Sequence, residues 1–244
     1  MRKRVGKLSR FYKISSILGS AIGIAYLLLL NFPQPLFAYS TEYNSFKVYS
    51  RQPITPELTA VLDSAETRLK TSPLYDDSFR RKIYLTDSFG MYAVLSHKAY
   101  KSFANSVPFI DNVMINKSDV AADRVFVNRE LNNSRSLSGV IAHETAHLLI
   151  RRRYGTVSAS LMPTWKNEGY CEYIAGDTTI PLEEGIRRWR ENPADDTTYR
   201  YIKYQLMVKY LLERENVSVD DLFTRSFDEK EVVEKTFHAF ASEN

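Results

Sequence analysis

Cysteine and histidine are both scarce in this sequence. Among 244 residues there is one cysteine, Cys171, and there are four histidines. A single cysteine cannot form an internal disulfide or build a cysteine cluster for a metal, so any metal site is expected to use histidine and carboxylate ligands. Apolar residues make up 44% of the chain and aromatic residues 13%, which excludes a largely disordered protein.

Acidic residues are absent from the first 13 positions. That segment carries six basic residues, which are Arg2, Lys3, Arg4, Lys7, Arg10 and Lys13. Of the 33 basic residues in the whole chain, 27 remain outside it against 29 acidic ones, so the rest of the chain has a net charge of −2. The overall charge of +4 is therefore local, and this distribution argues against a nucleic-acid partner.

Charge is also absent from the next 17 residues, 14–30. A run of this length lies at the short end of the ~17 to 25 residues that cross a bilayer, and it exceeds the usual apolar region of a signal peptide. A cleaved signal peptide is the alternative, but the best cleavage motif, 36–38, has a large residue, Leu36, at its −3 position. The sequence therefore favours an uncleaved signal anchor.

The position of the basic residues predicts the topology. Positive charge before the span places the N-terminus in the cytoplasm and the rest of the protein outside it. The predicted organisation is a cytoplasmic basic head (1–13), a transmembrane anchor (14–30), a linker (31–44) and a folded domain (45–244). Gly19 and Gly23 form a G-x-x-x-G pattern, through which two such helices could form a homodimer.

The pattern of the folded domain changes near residue 135. Before that point the sequence predicts strands at 46–50, 82–86, 112–116 and 124–128, helices at 55–70 and 93–103, and a turn at 117–119. After it the sequence predicts helices at 136–154, 166–175, 182–190, 197–215 and 228–240. This order predicts an α+β fold with a small mixed sheet, a helical C-terminal half and one preceding transmembrane helix.

Two of the four histidines lie in the H-E-x-x-H pattern at 143–147. Residues four apart share one face of a helix, so His143 and His147 can reach the same ion, with Glu144 beside the first. Part-buried histidines that flank a glutamate are costly without a partner that satisfies them. The pattern therefore predicts a zinc hydrolase centre, which needs a third protein ligand.

The sequence downstream of this pattern distinguishes between zinc enzyme classes. The metzincin extension requires Gly and His where this chain has Ile150 and Arg153, so that class is excluded. Trp165, Glu168 and Gly169 appear instead. Together with the H-E-x-x-H pattern, this segment resembles the gluzincin metallopeptidases, which include the thermolysin-like and aminopeptidase-N-like enzymes, over about residues 136–175.

The resemblance implies a role for each of these side chains. In gluzincins the third zinc ligand is a glutamate on a second helix, within a Trp-x-x-Glu-Gly-type segment in the aminopeptidase-N-like branch. His143, His147 and Glu168 would accordingly hold Zn²⁺, and Glu144 would be the general base toward a zinc-bound water.

Two further side chains are candidates at this site. Glu172 follows Glu168 by four residues on the same helix face, where it can accept a hydrogen bond from a zinc-bound histidine, and the resemblance assigns it to His143. Gluzincins often use a tyrosine or histidine beyond the third ligand to stabilise the oxyanion, and Tyr201 is our candidate, with Tyr204 as the alternative.

Other polar residues are interpreted as structural. Cys171 lies roughly 100° around the helix from Glu172 and is expected to be a small packing residue. His97 and His238 have no partner at ligand spacing and are expected at the surface or at helix caps. The arginines at 151–153 suit the negative end of a helix dipole.

The sequence thus predicts a membrane-anchored zinc metallopeptidase with a peptide or protein substrate. In aminopeptidase-N-like enzymes a Gly-x-Met-Glu-Asn segment holds the free N-terminus of the substrate. This chain has no such segment, so an endopeptidase is favoured. We expect the substrate to pair with an edge strand at 112–116. The alternative is a catalytically silent zinc-binding scaffold or binding protein at the membrane, and the unbroken motif favours the enzyme.

Overall fold

All of the described strands precede residue 137, and the described elements after that point are helices. The computed structural model describes residues 2–97, 100–127, 130–193 and 199–241. Its strands are β1 (Tyr39–Tyr43), β2 (Phe46–Ser50), β3 (Arg81–Leu85), β4 (Ala104–Ser106), β5 (Asn112–Ile115), β6 (Ser118–Asp119), β7 (Arg124–Val127) and β8 (Glu130–Ser136). Its helices are α1 (Arg2–Asn31), α2 (Glu57–Leu69), α3 (Phe89–Leu95), α4 (Leu137–Tyr154), α5 (Thr156–Leu161), α6 (Thr164–Ala175), α7 (Leu182–Glu191), α8 (Arg200–Glu213), α9 (Val219–Thr224) and α10 (Glu229–Phe240). The predicted α+β fold class is confirmed.

The main sheet has five strands in the order β1-β2-β3-β5-β4. β2, β3 and β5 run parallel, and β1 and β4 pair antiparallel at the two edges. The prediction that 112–116 is an edge strand is wrong, because β5 lies between β3 and β4. The edge on that side belongs to β4, which the sequence analysis did not predict.

The two faces of this sheet pack against different parts of the chain. Phe46, Val48 and Ile83 belong to the main core, together with residues of α2 and α4. Strand residues alternate between faces, so Tyr84 and Met114 point the other way. They pack in a second cluster with Phe37 and with residues of α3.

Helix α4 follows the second sheet directly and carries the H-E-x-x-H residues. The three strands β6, β7 and β8 are antiparallel, and β8 ends at Ser136, whose Oγ caps α4 by accepting a hydrogen bond from the Gly139 amide (3.0 Å). At the other end Gly155 has φ +86°, a conformation that favours glycine. The predicted helix from 136 to 154 is confirmed.

Three local predictions differ from the structure. In place of the helix predicted at 93–103, the structure has the shorter helix α3. This helix begins after the Ser88 cap and ends before His97, whose φ is +58°. The linker predicted at 31–44 contains β1, which pairs with β2 because its backbone completes the sheet edge. The turn predicted at 117–119 contains the short strand β6. Helices α5 and α9 were not predicted, and Lys98, Ala99, Asn128, Thr197 and Thr198 lie outside the described residues.

Helix α1 includes one stretch, Tyr12–Asn31, that is long and apolar enough to cross a membrane. It has 20 residues and a mean hydropathy of 1.8. The predicted span at 14–30 lies within it. Length and composition carry this finding, while the orientation and the pairing of Gly19 and Gly23 stay predictions.

Helices α6 and α8 approach closely at Gly169. A Cβ at this position would overlap the main-chain carbonyl of Tyr204 on α8, and it would also lie 2.9 Å from Val208. Only glycine allows this approach without moving one helix. Because Glu168 is the preceding residue, the same contact fixes where its backbone lies.

We predict that Gly169→Ala lowers the free energy of unfolding by about 1–3 kcal/mol, since the added methyl group forces α6 and α8 apart. Chemical denaturation of the full chain in detergent measures this change. Gly90→Ala on α3 is the matched control, because a Cβ there meets nothing within 4 Å and alanine favours helix. Equal effects of the two substitutions would contradict the close approach.

Candidate metal centre

Helices α4 and α6 bring three predicted ligands together. The Nε2 atoms of His143 and His147 lie 3.2 Å apart. The carboxylate of Glu168 lies 3.4 Å from Nε2 of His143 and 3.5 Å from Nε2 of His147. The distance to His143 is that of Oε2 and the distance to His147 is that of Oε1, so the two Nε2 atoms and the carboxylate group form a triangle of polar groups between the two helices.

The opposite ring nitrogens show which atoms carry lone pairs. The side-chain amide of Asn167 donates to the carbonyl of Ala159 (3.0 Å), so its Oδ1 faces Nδ1 of His147 at 2.9 Å as an acceptor. Nδ1 of His147 must then carry the proton. Nδ1 of His143 faces Oε1 of Glu172 at 3.4 Å, an electrostatic contact longer than a good hydrogen bond.

This arrangement leaves acceptors facing one another. With both protons on the Nδ1 atoms, the two Nε2 lone pairs and the Glu168 carboxylate surround the same small volume. Acceptors held this close repel unless a proton or a metal cation lies between them. A proton between these atoms, which the other tautomer of His143 would supply, or a metal cation relieves this repulsion.

A buried ion pair supports the acid beside His143. Arg135 donates to both oxygens of Glu172 at 2.9 and 2.8 Å, and it also donates to Oδ1 of Asp177 at 3.1 Å. Asp177 in turn accepts from the amide (3.2 Å) and the hydroxyl (2.6 Å) of Ser136, the cap of α4. The network thus joins the start of α4 to the end of α6.

The pKa directions agree with this charge distribution. Burial acts to lower the pKa of His143, but the charge of Glu172, followed by Glu168 and Glu144, raises it to about 9. Burial acts to raise the pKa of Glu168, but His147 and His143 hold it well below its usual range. In the metal-free protein at neutral pH, a proton therefore supplies the positive charge within the triangle.

Cys171 also belongs to this cluster. Ligand atoms of His143, His147 and Cys171 lie within 4.8 Å of one another, so this group could hold a metal ion. Cys171 is fully buried, as its packing role requires, but the expectation that it only packs was incomplete. The sequence analysis considered only the angle between Cys171 and Glu172 around the helix. Cys171 also follows Glu168 by three residues, which places it on the helix face toward the histidines. Burial, followed by the charges of nearby carboxylates, raises the pKa of Cys171 well above its usual value.

A cleft of about 920 Å³ opens over the cluster and reaches Glu144 and Glu168. Within the described parts of the chain, the carboxylate of Glu144 has no hydrogen bond or ion pair to another side chain. Such a carboxylate is available to a molecule in the cleft. Glu172 also lines the cleft, with its oxygens bound to Arg135.

The candidate tyrosines differ in position. Tyr201 lines the cleft and is 53% exposed. Burial of its hydroxyl, followed by the charges of Glu168 and Glu172, raises its pKa, so its hydroxyl is protonated at neutral pH. Tyr204 lies on the α6-facing side of α8 and is not among the lining residues. The structure therefore favours Tyr201 over Tyr204 for contact with a ligand.

The edge strand β4 forms one wall of the cleft, and an arginine of α4 fixes its end. Arg151 donates to the carbonyl (2.9 Å) and to the hydroxyl (2.6 Å) of Ser106. The sequence analysis attributed Arg151 to helix termination and missed this contact. The contact joins residues 45 positions apart, and no local pattern indicates it.

No protein-family model matches the chain, and a search of curated proteins finds no significant match.

We predict that Arg135→Gln lowers the free energy of unfolding by about 3–5 kcal/mol, because it leaves the buried Glu172 carboxylate without its partner. Denaturant unfolding at pH 7 measures this loss. The matched control is Arg153→Gln, whose pair with Asp220 is exposed on both sides and contributes at most ~1 kcal/mol. A loss no larger than that of the control would disprove the supporting role of Arg135.

Proposed function

We propose that this protein is a membrane-anchored, gluzincin-like zinc metallopeptidase that cleaves internal peptide bonds. The observation that carries the proposal is the triangle formed by His143, His147 and Glu168, in which three acceptors face one another at 3.2, 3.4 and 3.5 Å. Such an arrangement suits a cation better than any neutral occupant.

The size of the triangle fits zinc. Zinc binds histidine nitrogen and carboxylate oxygen at about 2.0–2.1 Å in tetrahedral geometry, which separates two ligand atoms by about 3.3–3.4 Å. The two Nε2 atoms, and each Nε2 atom with the Glu168 oxygen that faces it, lie within about 0.2 Å of these separations. The contacts of Asn167 and Glu172 with the opposite ring nitrogens orient both imidazoles, as is common for metal-bound histidines.

We assign Glu168 as the third ligand and Cys171 as a neighbouring packing residue. Glu168 lines the cleft, so a ligand set that includes it leaves the fourth position open to a substrate. Cys171 is buried below the cluster and does not line the cleft. A set of two histidines and Cys171 would use the side of the cluster that faces the protein interior.

In the proposed reaction the ion and two side chains have different roles. A zinc ion bound here would lower the pKa of a water from about 15.7 toward ~7 and polarise the scissile carbonyl. Glu144 takes a proton at its carboxylate and returns it to the leaving amine. Tyr201 donates its hydroxyl proton in a hydrogen bond to the oxygen that becomes negative.

We propose that the substrate lies extended along β4. Among the described strands, β5 is the one that pairs with β4, and β4 forms a wall of the cleft. Addition of a peptide strand to such an edge supplies main-chain hydrogen bonds without demanding a particular sequence. Arg151 keeps the end of β4 in place relative to the triangle.

The location also follows from the sequence. The stretch Tyr12–Asn31 serves as a single-pass anchor in this proposal. The basic residues that precede it place the N-terminus in the cytoplasm and the cleft outside it.

We predict that Glu144→Gln retains zinc but loses peptide hydrolysis by at least ~100-fold, since an amide cannot accept the proton. Elemental analysis gives the zinc content, and a quenched peptide library with and without chelator gives the activity. Glu57→Gln, which changes an exposed carboxylate on α2, is the matched control and keeps both properties. Glu168→Ala loses both zinc and activity.

Substantial turnover by Glu144→Gln would overturn the assigned mechanism. A wild-type chain that binds zinc in equal amount but hydrolyses no peptide would support the scaffold alternative instead. A chain that binds no zinc would exclude both.

A further inference from the structure

The end of the membrane helix is bound to the folded domain. The side-chain amide of Asn112 donates to the carbonyls of Leu30 (2.9 Å) and Asn31 (3.2 Å), which are among the last carbonyls of α1. Leu30 is itself buried. The domain is therefore held directly at the end of α1, with no flexible tether between them.

The contact continues down the side of the helix. The hydroxyl of Tyr26 donates to the carbonyl of Val94 at 2.8 Å, and its ring lies 6.2 Å from the ring of His97. Tyr26 precedes Asn31 by five residues, which is about 7.5 Å along the axis. The apolar stretch of 20 residues is about 30 Å long, which equals the hydrocarbon thickness of a bilayer. The end of α3 therefore contacts α1 about 7.5 Å inside the end of the apolar stretch, which is within the ~5–10 Å that interfacial elements enter a bilayer.

Exposed apolar side chains lie close in sequence to the residues of this junction. They are 42% to 75% exposed and comprise Phe32, Leu36, Val94 and Phe109. Phe32 and Leu36 directly follow α1, and Phe109 precedes Asn112 by three residues. Aromatic and apolar side chains at this level are typical of a membrane interface.

The chain that follows α3 forms the rim of the cleft. The hydroxyls of Tyr92 and Ser102 lie 2.6 Å apart, and the amide of Asn105 donates to the carbonyl of Ser96 at 2.9 Å. Ser102, Asn105 and Pro108 line the cleft. Residues 94–97 thus contact the membrane helix, and residues 102–108, which are bonded to them, contact the cleft.

We propose that the cleft acts on the juxtamembrane segment of other membrane-anchored polypeptides. This inference rests on the proposed peptidase function and specifies its substrate class. A chain that leaves the bilayer close to α1 passes the rim within a few residues of the membrane, where it can lie along β4. A cleavage site far above the bilayer is out of reach, because the domain is fixed at the end of α1.

Reconstituted vesicles test this substrate class. The full-length chain is incorporated with a reporter peptide placed directly after a transmembrane helix, or with the same reporter raised by a helical spacer of about 20 residues, roughly 30 Å long. Both reporters share the membrane, so their effective concentrations match. We expect at least tenfold faster cleavage of the membrane-proximal reporter. Equal rates, or faster cleavage of the raised reporter, would overturn the inference.

A second measurement does not depend on activity. Tryptophan introduced by Val94→Trp should be quenched by lipids that carry a nitroxide near the headgroup. Ala60→Trp is the matched control, because Ala60 is exposed on α2, which packs on the opposite face of the sheet. The native Trp165 and Trp189 are buried and contribute the same background to both variants.

The two measurements separate the possible failures. If Val94→Trp is quenched no more than Ala60→Trp, the membrane placement is wrong, whatever the activity. If the wild-type chain hydrolyses a soluble peptide but shows no preference for the proximal reporter, only the substrate class is wrong. If Val94→Trp is quenched and no peptide is hydrolysed in any form, the peptidase function fails and the substrate class fails with it.

Discussion

Two imidazole lone pairs and one carboxylate, held within 3.5 Å of one another, are the constraint on which the rest of the structure depends. These groups repel unless a proton or a metal cation lies between them, and the fold holds them together. The H-E-x-x-H spacing does this within α4, and the close packing of α8 against Gly169 holds α6 in place. The result is a site that favours a small cation.

Two acids beside the histidines, Glu144 on α4 and Glu172 on α6, differ in their partners. Glu172 is paired with Arg135 and orients one imidazole, and Asp177 connects that pair to the cap of α4. Glu144 has no such partner among the described residues, and it faces the cleft. One carboxylate thus supports the ligands, and another is available for proton transfer. The two carboxylates differ because Arg135 pairs with Glu172 and not with Glu144.

The bounds of α4 depend on local spacing and were predicted from helical periodicity and the capping residues. The approach of Glu168 to the histidines joins two helices, and it was expected from the resemblance to gluzincins. Strand β4 has three residues, and contacts with Arg151 and β5, both distant in sequence, keep it in place. The helix predicted at 93–103 was wrong, because α3 ends just before His97, whose positive φ is not helical and is uncommon for a residue other than glycine. The role of Arg135 was not predicted, because its partners Glu172 and Asp177 lie 37 and 42 residues away in the sequence.

The central claim is that zinc binds to His143, His147 and Glu168 on the side of the cluster that faces the cleft. X-ray absorption at the zinc edge of the loaded full-length protein tests it directly, because sulfur and light-atom ligands differ in distance. The account predicts only nitrogen and oxygen neighbours at about 2.0–2.1 Å, including two imidazoles. A sulfur neighbour at about 2.3 Å would assign Cys171 as a ligand and contradict the account.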